Sequence, residues 1–136
     1  MKQNLDIGLT LIKNYSIKKK HAAQHVETLS TPAMIAFMEW TARQCVQPRL
    51  PEGDITVGTR IDIKHLSSVP IGENLKVIAQ LIEINNRRLT FKVKAEWKNE
   101  VIGQGCHERF IVNKEKFLEK IKQKTGRTFF VSSCSS

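Results

Sequence analysis

From residue 55 the chain alternates. In ITVGTRIDIKHL the odd positions Ile55, Val57, Thr59, Ile61, Ile63 and His65 form one row, and Arg60, Asp62 and Lys64 fall on the other. A period of two marks a strand with one buried face. The pattern returns in LKVIAQLIEI (75–84), less cleanly, and in LTFKVKAEW, where Leu89, Phe91, Val93, Ala95 and Trp97 oppose Lys92, Lys94 and Glu96. In VIGQGCHERFIV (101–112) the alternation puts Ile102, Cys106, Phe110 and Val112 on one face and His107 and Arg109 on the other. NNR (85–87) and KNE (98–100) read as turns, because Asn tolerates the left-handed region. Residues 5–12 alternate as well, through Leu5, Ile7, Leu9 and Leu11, and predict a first strand.

The period changes in LSTPAMIAFMEWTARQC (29–45), which is apolar around most of a helix. Thr31 before Pro32 is a start signal, with Thr31 as the expected cap, and PRLPEGD stops the helix at about Gln47. The polar stretch 13–30 is a connection with room for a short helix. KEKFLEKIKQK predicts a second, amphipathic helix on Phe117, Leu118 and Ile121. Residues 1–124 read as a single domain, and 125–136 as a loose tail. One helix that is apolar on most sides needs a sheet curled around it, and a second subunit could cover more of it. The expected class is α+β, with a long central helix wrapped by a curved antiparallel sheet of about five strands, the hotdog arrangement.

Two titratable residues interrupt this core. Glu39 lies between Met38 and Trp40 on the apolar helix, and His65 ends the strand row that should face it. A buried carboxylate needs a partner, and a histidine on the facing sheet is the expected one. Thr31 marks the positive end of the helix, where a developing oxyanion would be favoured. Eight residues separate it from Glu39, about 12 Å along the axis, so the two should not touch within one helix. A substrate along the helix or a dimer interface could join them. Gly58, inside a strand, signals a bulge or a close approach to backbone.

Composition narrows the class. The chain has 136 residues, 40% hydrophobic, enough for one core, and no run approaches the roughly 18 apolar residues of a membrane span. Cys45, Cys106 and Cys134 form no C-x-x-C pair, which points to reduced thiols in a cytoplasmic setting without a structural metal. His21 and His25 in HAAQH have a helical metal spacing but no further ligand beside them, so no metal and no cofactor is expected. GQG (103–105) lacks the Lys-Ser/Thr ending of a phosphate loop. A net charge of +9 favours an anionic partner. Nucleic acid is an unlikely one, because few aromatic side chains sit among the Lys clusters to stack on bases.

STPAMIAFMEW, VGTRIDIKHLSSVPIG and GQGCHERFIVNKEKF, taken together, resemble the fluoroacetyl-CoA thioesterase family of the hotdog superfamily over residues 28–124. The resemblance implies acyl-CoA hydrolysis by a homodimer with its active site at the subunit interface. It implies Thr31, Glu39 and His65 as catalytic residues, and Gly58 and Arg109 as substrate-binding ones. His107 and Glu108 match the family and are taken as structural. Family members with fluoroacetyl activity carry an aromatic gate ahead of the helix. Here no Phe, Tyr or Trp lies between Ser16 and Ala36. A non-catalytic acyl-CoA sensor on the same fold is the rival expectation.

Overall fold

The computed structural model describes residues 4–128. Five strands, β1 (Thr10–Ser16), β2 (Asp54–His65), β3 (Asn74–Asn85), β4 (Arg88–Trp97) and β5 (Glu100–Asn113), form one antiparallel sheet in the order β1-β3-β4-β5-β2. The long helix α1 (Thr31–Val46) packs against β1, β2, β3 and β4, and α2 (Lys114–Thr125) follows β5. This is the α+β architecture expected from the pattern. Residues 129–136, most of the expected tail and Cys134 with them, lie outside the described residues.

Helix α1 starts one residue earlier in its cap than expected. Ser30, not Thr31, is the N-cap: its Oγ accepts from the Ala33 N–H at 3.2 Å, and Thr31 is the first helical residue. Met34, Phe37, Met38, Ala42 and Val46 are buried, at about 1.5–3 kcal/mol for each large side chain. Thr41 is buried without cost to its hydroxyl, which donates to the Phe37 carbonyl at 2.7 Å and lies 2.8 Å from the Tyr15 hydroxyl. The inward row of β4 is the predicted one, Leu89, Phe91, Val93 and Ala95. Both predicted turns hold. Asn86 takes φ 57°, and Lys98 and Asn99 both take positive φ, as a two-residue hairpin loop requires.

Strand β1 begins at Thr10, not residue 5, because Asp6 to Leu9 close a turn with Gly8 at φ 98°. Between residues 13 and 30 the only helical piece is a 3₁₀ turn, Lys19–His21, so the spacing of His21 and His25 brings no pair of rings together on a helix. His21 instead accepts the Lys18 N–H and sets its ring edge against Phe37.

Two bulges invert the expected strand faces. In β2 the register shifts between Gly58 and Arg60, so Thr56 and Gly58 face the helix before it and Ile61, Ile63 and His65 after it. The single odd row from Ile55 to His65 is therefore not continuous. In β5 the register shifts beside Ile102, since Glu96 pairs with Val101 but Ala95 pairs with Gly103. One extra residue moves every following side chain to the other face. His107 and Arg109 thus point inward, opposite Phe91 and Leu89, while Cys106 and Phe110 are exposed.

The two glycines of GQG have a packing role. A Cβ on Gly103 would meet the Met34 side chain of α1, and one on Gly105 would run into the Asp62 carbonyl of β2. Replacing Gly105 by Ala is expected to destabilise the fold by about 3 kcal/mol, read as a lower urea midpoint, because the obstacle is backbone. An unchanged midpoint would contradict this packing.

Candidate active site

The sequence-selected residues form two groups. At the start of α1, Thr31 Oγ1 lies 2.8 Å from Nδ1 of His65, which ends β2. His65 Nε2 is buried and has no hydrogen-bond partner among the described residues. A buried nitrogen left so costs about 1–3 kcal/mol, a deficit that a bound group would remove. This pair sits at the positive end of the α1 dipole.

The second group lies further along the helix. A Cβ on Gly58 would come within 3.0 Å of Glu39 Oε2, 3.3 Å of His107 Cε1 and 3.6 Å of Arg109 Nη1. Glycine here leaves room for a carboxylate and a guanidinium over the same stretch of strand backbone. Arg109 is only 6% exposed, and its N–H groups are directed by neighbours. Nε donates to Thr56 Oγ1 at 2.7 Å and Nη2 to the Thr56 carbonyl at 2.9 Å, while Nη1 lies 3.2 Å from His107 Nε2. Burial lowers the Arg109 pKa to about 10, with Glu39 opposing the shift and Arg43 adding to it, so the guanidinium stays charged at neutral pH.

Glu39 and His65 are not partners within one protomer. Glu39 meets β2 at Gly58, seven residues from His65, which is roughly 20 Å along an extended strand. The carboxylate is instead paired electrostatically with Arg109 and His107. Gly58 combines both expected features, a bulge beside it and a close approach over it. Arg109 belongs with Glu39, and Thr31 with His65.

Sequence reasoning missed Thr56 and treated His107 as structural. His107 is 1% exposed, with Nδ1 2.8 Å from the Arg60 carbonyl. The usable signal was its place two residues from Arg109, which puts the pair on one face of the strand.

Known proteins share this sequence pattern and this fold. The fluoroacetyl-CoA-specific thioesterase family matches residues 13–115. The chain belongs to that family. It is 36% identical over 103 residues to the fluoroacetyl-CoA thioesterase of Streptantibioticus cattleyicolor, covering 76% of this chain and 74% of that protein. A solved structure of the fluoroacetyl-CoA thioesterase FlK superimposes with a TM-score of 0.84 at 28% identity, over 90% of this chain and 98% of that one. A hot-dog-like protein from Thermanaerovibrio acidaminovorans shares the fold at a TM-score of 0.84 and 19% identity, over 89% and 93% of the two chains. Among the described residues of this family member, no helix is long and apolar enough to cross a membrane.

Burial lowers the His107 pKa below its ordinary 6.5, with the Arg60 carbonyl opposing the shift and Arg109 adding to it. The unfolded chain therefore takes up this proton at higher pH than the folded one. The stabilising contribution is complete above about pH 6.5 and is lost as pH falls through the depressed value, with a slope of at most about 1.4 kcal/mol per pH unit. Melting temperature is expected to drop on acidification below pH 6.5, and His107→Gln to flatten that drop. An equal drop in the variant would assign it to other groups.

Proposed function

We propose that this protein is an acyl-CoA thioesterase acting on short-chain substrates, as a cytoplasmic homodimer whose site joins the two groups from different subunits. The observation that carries the reading is the Thr31–His65 hydrogen bond at the α1 N-terminus, with His65 Nε2 buried and unpaired beside it. Support for the dimer comes from β2, which is an edge strand with Ile61 39% exposed and Leu66, just beyond its end, 53% exposed. An unpaired edge invites a second strand. If β2 pairs with its own copy about a two-fold axis, so that Asp62 faces the partner subunit's Asp62, then Gly58 faces the partner subunit's His65, with Thr59 as the bulged residue. Residues opposite one another share a sheet face, so Glu39 and Arg109 would then complete the site begun by Thr31 and His65.

In this mechanism the thioester carbonyl points at the α1 N-terminus. His65 Nδ1–H donates to Thr31 Oγ1, and the Thr31 hydroxyl donates to the oxyanion. That tautomer leaves a lone pair on His65 Nε2, which takes a proton from water as general base. The partner's Glu39 carboxylate either orients the attacking water or attacks the carbonyl itself, expelling the CoA thiolate and leaving an anhydride that the water then opens. On either route the protonated His65 gives its proton to the thiolate. The products are a carboxylic acid and the CoA thiol. The phosphates of CoA would meet the basic surface, and Arg87, Lys116 and Lys120 line one cavity of about 320 Å³ that could take them.

A panel of acyl-CoA esters, followed by thiol release, is expected to show turnover, with Glu39→Gln and His65→Ala each lowering kcat at least about a hundredfold. No hydrolysis across the panel, or full activity in both variants, would refute the reading. The shared site has its own test. A Thr31→Ala/His65→Ala chain refolded with a Glu39→Gln chain is expected to recover about a quarter of wild-type activity, since half the dimers would hold one intact site. No recovery would place all three residues of a site in one protomer.

The segment ahead of α1 bears on substrate choice. Ala22, Ala23, Gln24, His25 and Val26 surround a surface cavity there with no Phe, Tyr or Trp. Without an aromatic gate, acetyl-CoA and fluoroacetyl-CoA are expected to have kcat/KM values within about tenfold of each other, the scale of a small pocket difference. A fluoroacetyl preference of several orders of magnitude would show that selectivity arises elsewhere.

A further inference from the structure

We propose that His107 is a positioning residue: a neutral imidazole that turns the Arg109 guanidinium toward Glu39 and so fixes the carboxylate over Gly58. This rests on the role given to Glu39 above, but the geometry stands apart from it.

The argument is one of donors and acceptors. The Arg60 carbonyl can only accept, so His107 Nδ1 must carry a proton to satisfy the 2.8 Å contact. A guanidinium can only donate, so the 3.2 Å contact to Arg109 Nη1 requires a lone pair on His107 Nε2. Both bonds exist together in one form of the ring, the neutral Nδ1–H tautomer. Of the five Arg109 N–H groups, three are then committed: to Thr56 Oγ1, to the Thr56 carbonyl and to His107. One N–H on each of Nη1 and Nη2 is left, and Nη1 and the Glu39 carboxylate both lie over Gly58, within electrostatic reach of one another. The fork is planar, so holding its other edge directs these two.

Protonating His107 would put an N–H where Nη1 also presents one, and a second cation next to the first. The groups that act on the ring are Glu39 from α1, Arg109 and Glu108 from its own strand, and the Arg60 carbonyl from β2. Phe91 of β4 stacks near it at 6.3 Å between centroids and carries no charge. Arg43 of α1 acts on the neighbouring guanidinium. Burial as the largest influence keeps the ring neutral.

Two variants of comparable bulk separate positioning from packing. Leu at 107 fills space but makes neither hydrogen bond, whereas the Gln amide can donate and accept. His107→Leu is expected to lower kcat about a hundredfold, the scale of a small misplacement of a reacting group. KM should change less than about threefold. His107→Gln should recover most of the loss. Equal losses in both variants, or full kcat in the Leu variant, would overturn the proposal. Nitrogen-15 NMR supplies a readout free of activity. Wild-type His107 should be the Nδ1–H tautomer above pH 6.5, and Arg109 Nε–H should exchange faster in the Leu variant than in the Gln variant. An Nε2–H tautomer would refute the positioning role even if the enzyme is active. A wild-type protein that hydrolyses no acyl-CoA but shows both NMR results would refute the thioesterase reading and leave the His107–Arg109 lock standing.

Discussion

A guanidinium that is 6% exposed dictates much of what surrounds it. Taking such a cation out of water costs several kcal/mol unless its hydrogens find acceptors and its charge finds an opposite. Thr56 supplies two acceptors and His107 a third, and Glu39 supplies the charge. Each of these requirements reaches back into local structure. Glu39 must come from the helix, so the helix must lie within reach of β2. Gly58 must lack a side chain for the carboxylate to sit this close over the strand. Thr56, Gly58, His107 and Arg109 must share one sheet face, and that depends on where the two strands gain an extra residue.

The same sheet separates what it organises. Strand β2 holds Gly58 near its middle and His65 at its end, and α1 holds Thr31 and Glu39 about 12 Å apart. Acid and base are thus kept from neutralising one another inside a protomer, and each keeps a neighbour of its own. Thr31 has lost the capping duty to Ser30, which leaves its hydroxyl for His65. A helix start that needed Thr31 as its cap could not also use it in this way.

Much of this was legible from the chain alone, and the failures share a cause. The length of α1, the β4 row and the two Asn-containing turns depend on local pattern, and they appear where the pattern puts them. Glu39, His65, Thr31, Gly58 and Arg109 were visible as residues out of place or as motif positions. Their grouping was not, because it depends on bulges beside Gly58 and Ile102, and a bulge carries no reliable local sequence mark. Hydrophobicity even argued for the wrong face of β5. Cys106, Phe110 and Ile102 outvoted a buried histidine and arginine, since burial of polar groups is decided by partners on other strands. The start of β1 was misplaced for a related reason: Leu5 and Leu9 pack against the core, but Gly8 and Leu9 reach β3 only through Leu81 at the edge of a turn, and the regular ladder begins at Thr10.

The bulge at Ile102 also limits how this chain can change length. If that residue were drawn into the ladder as an ordinary pair, the register set by Trp97 opposite Glu100 would continue unbroken, and Leu89 would face Glu108 while Phe91 faced Cys106. The interior would exchange an arginine for a glutamate, next to the glutamate already on the helix. One residue inserted between the bulge and Arg109 would have the same result, turning an attractive pair into two acids buried side by side. Beyond the bulge, β5 is thus closed to single-residue insertions, and changes of length must fall at the bulge itself or in the loops.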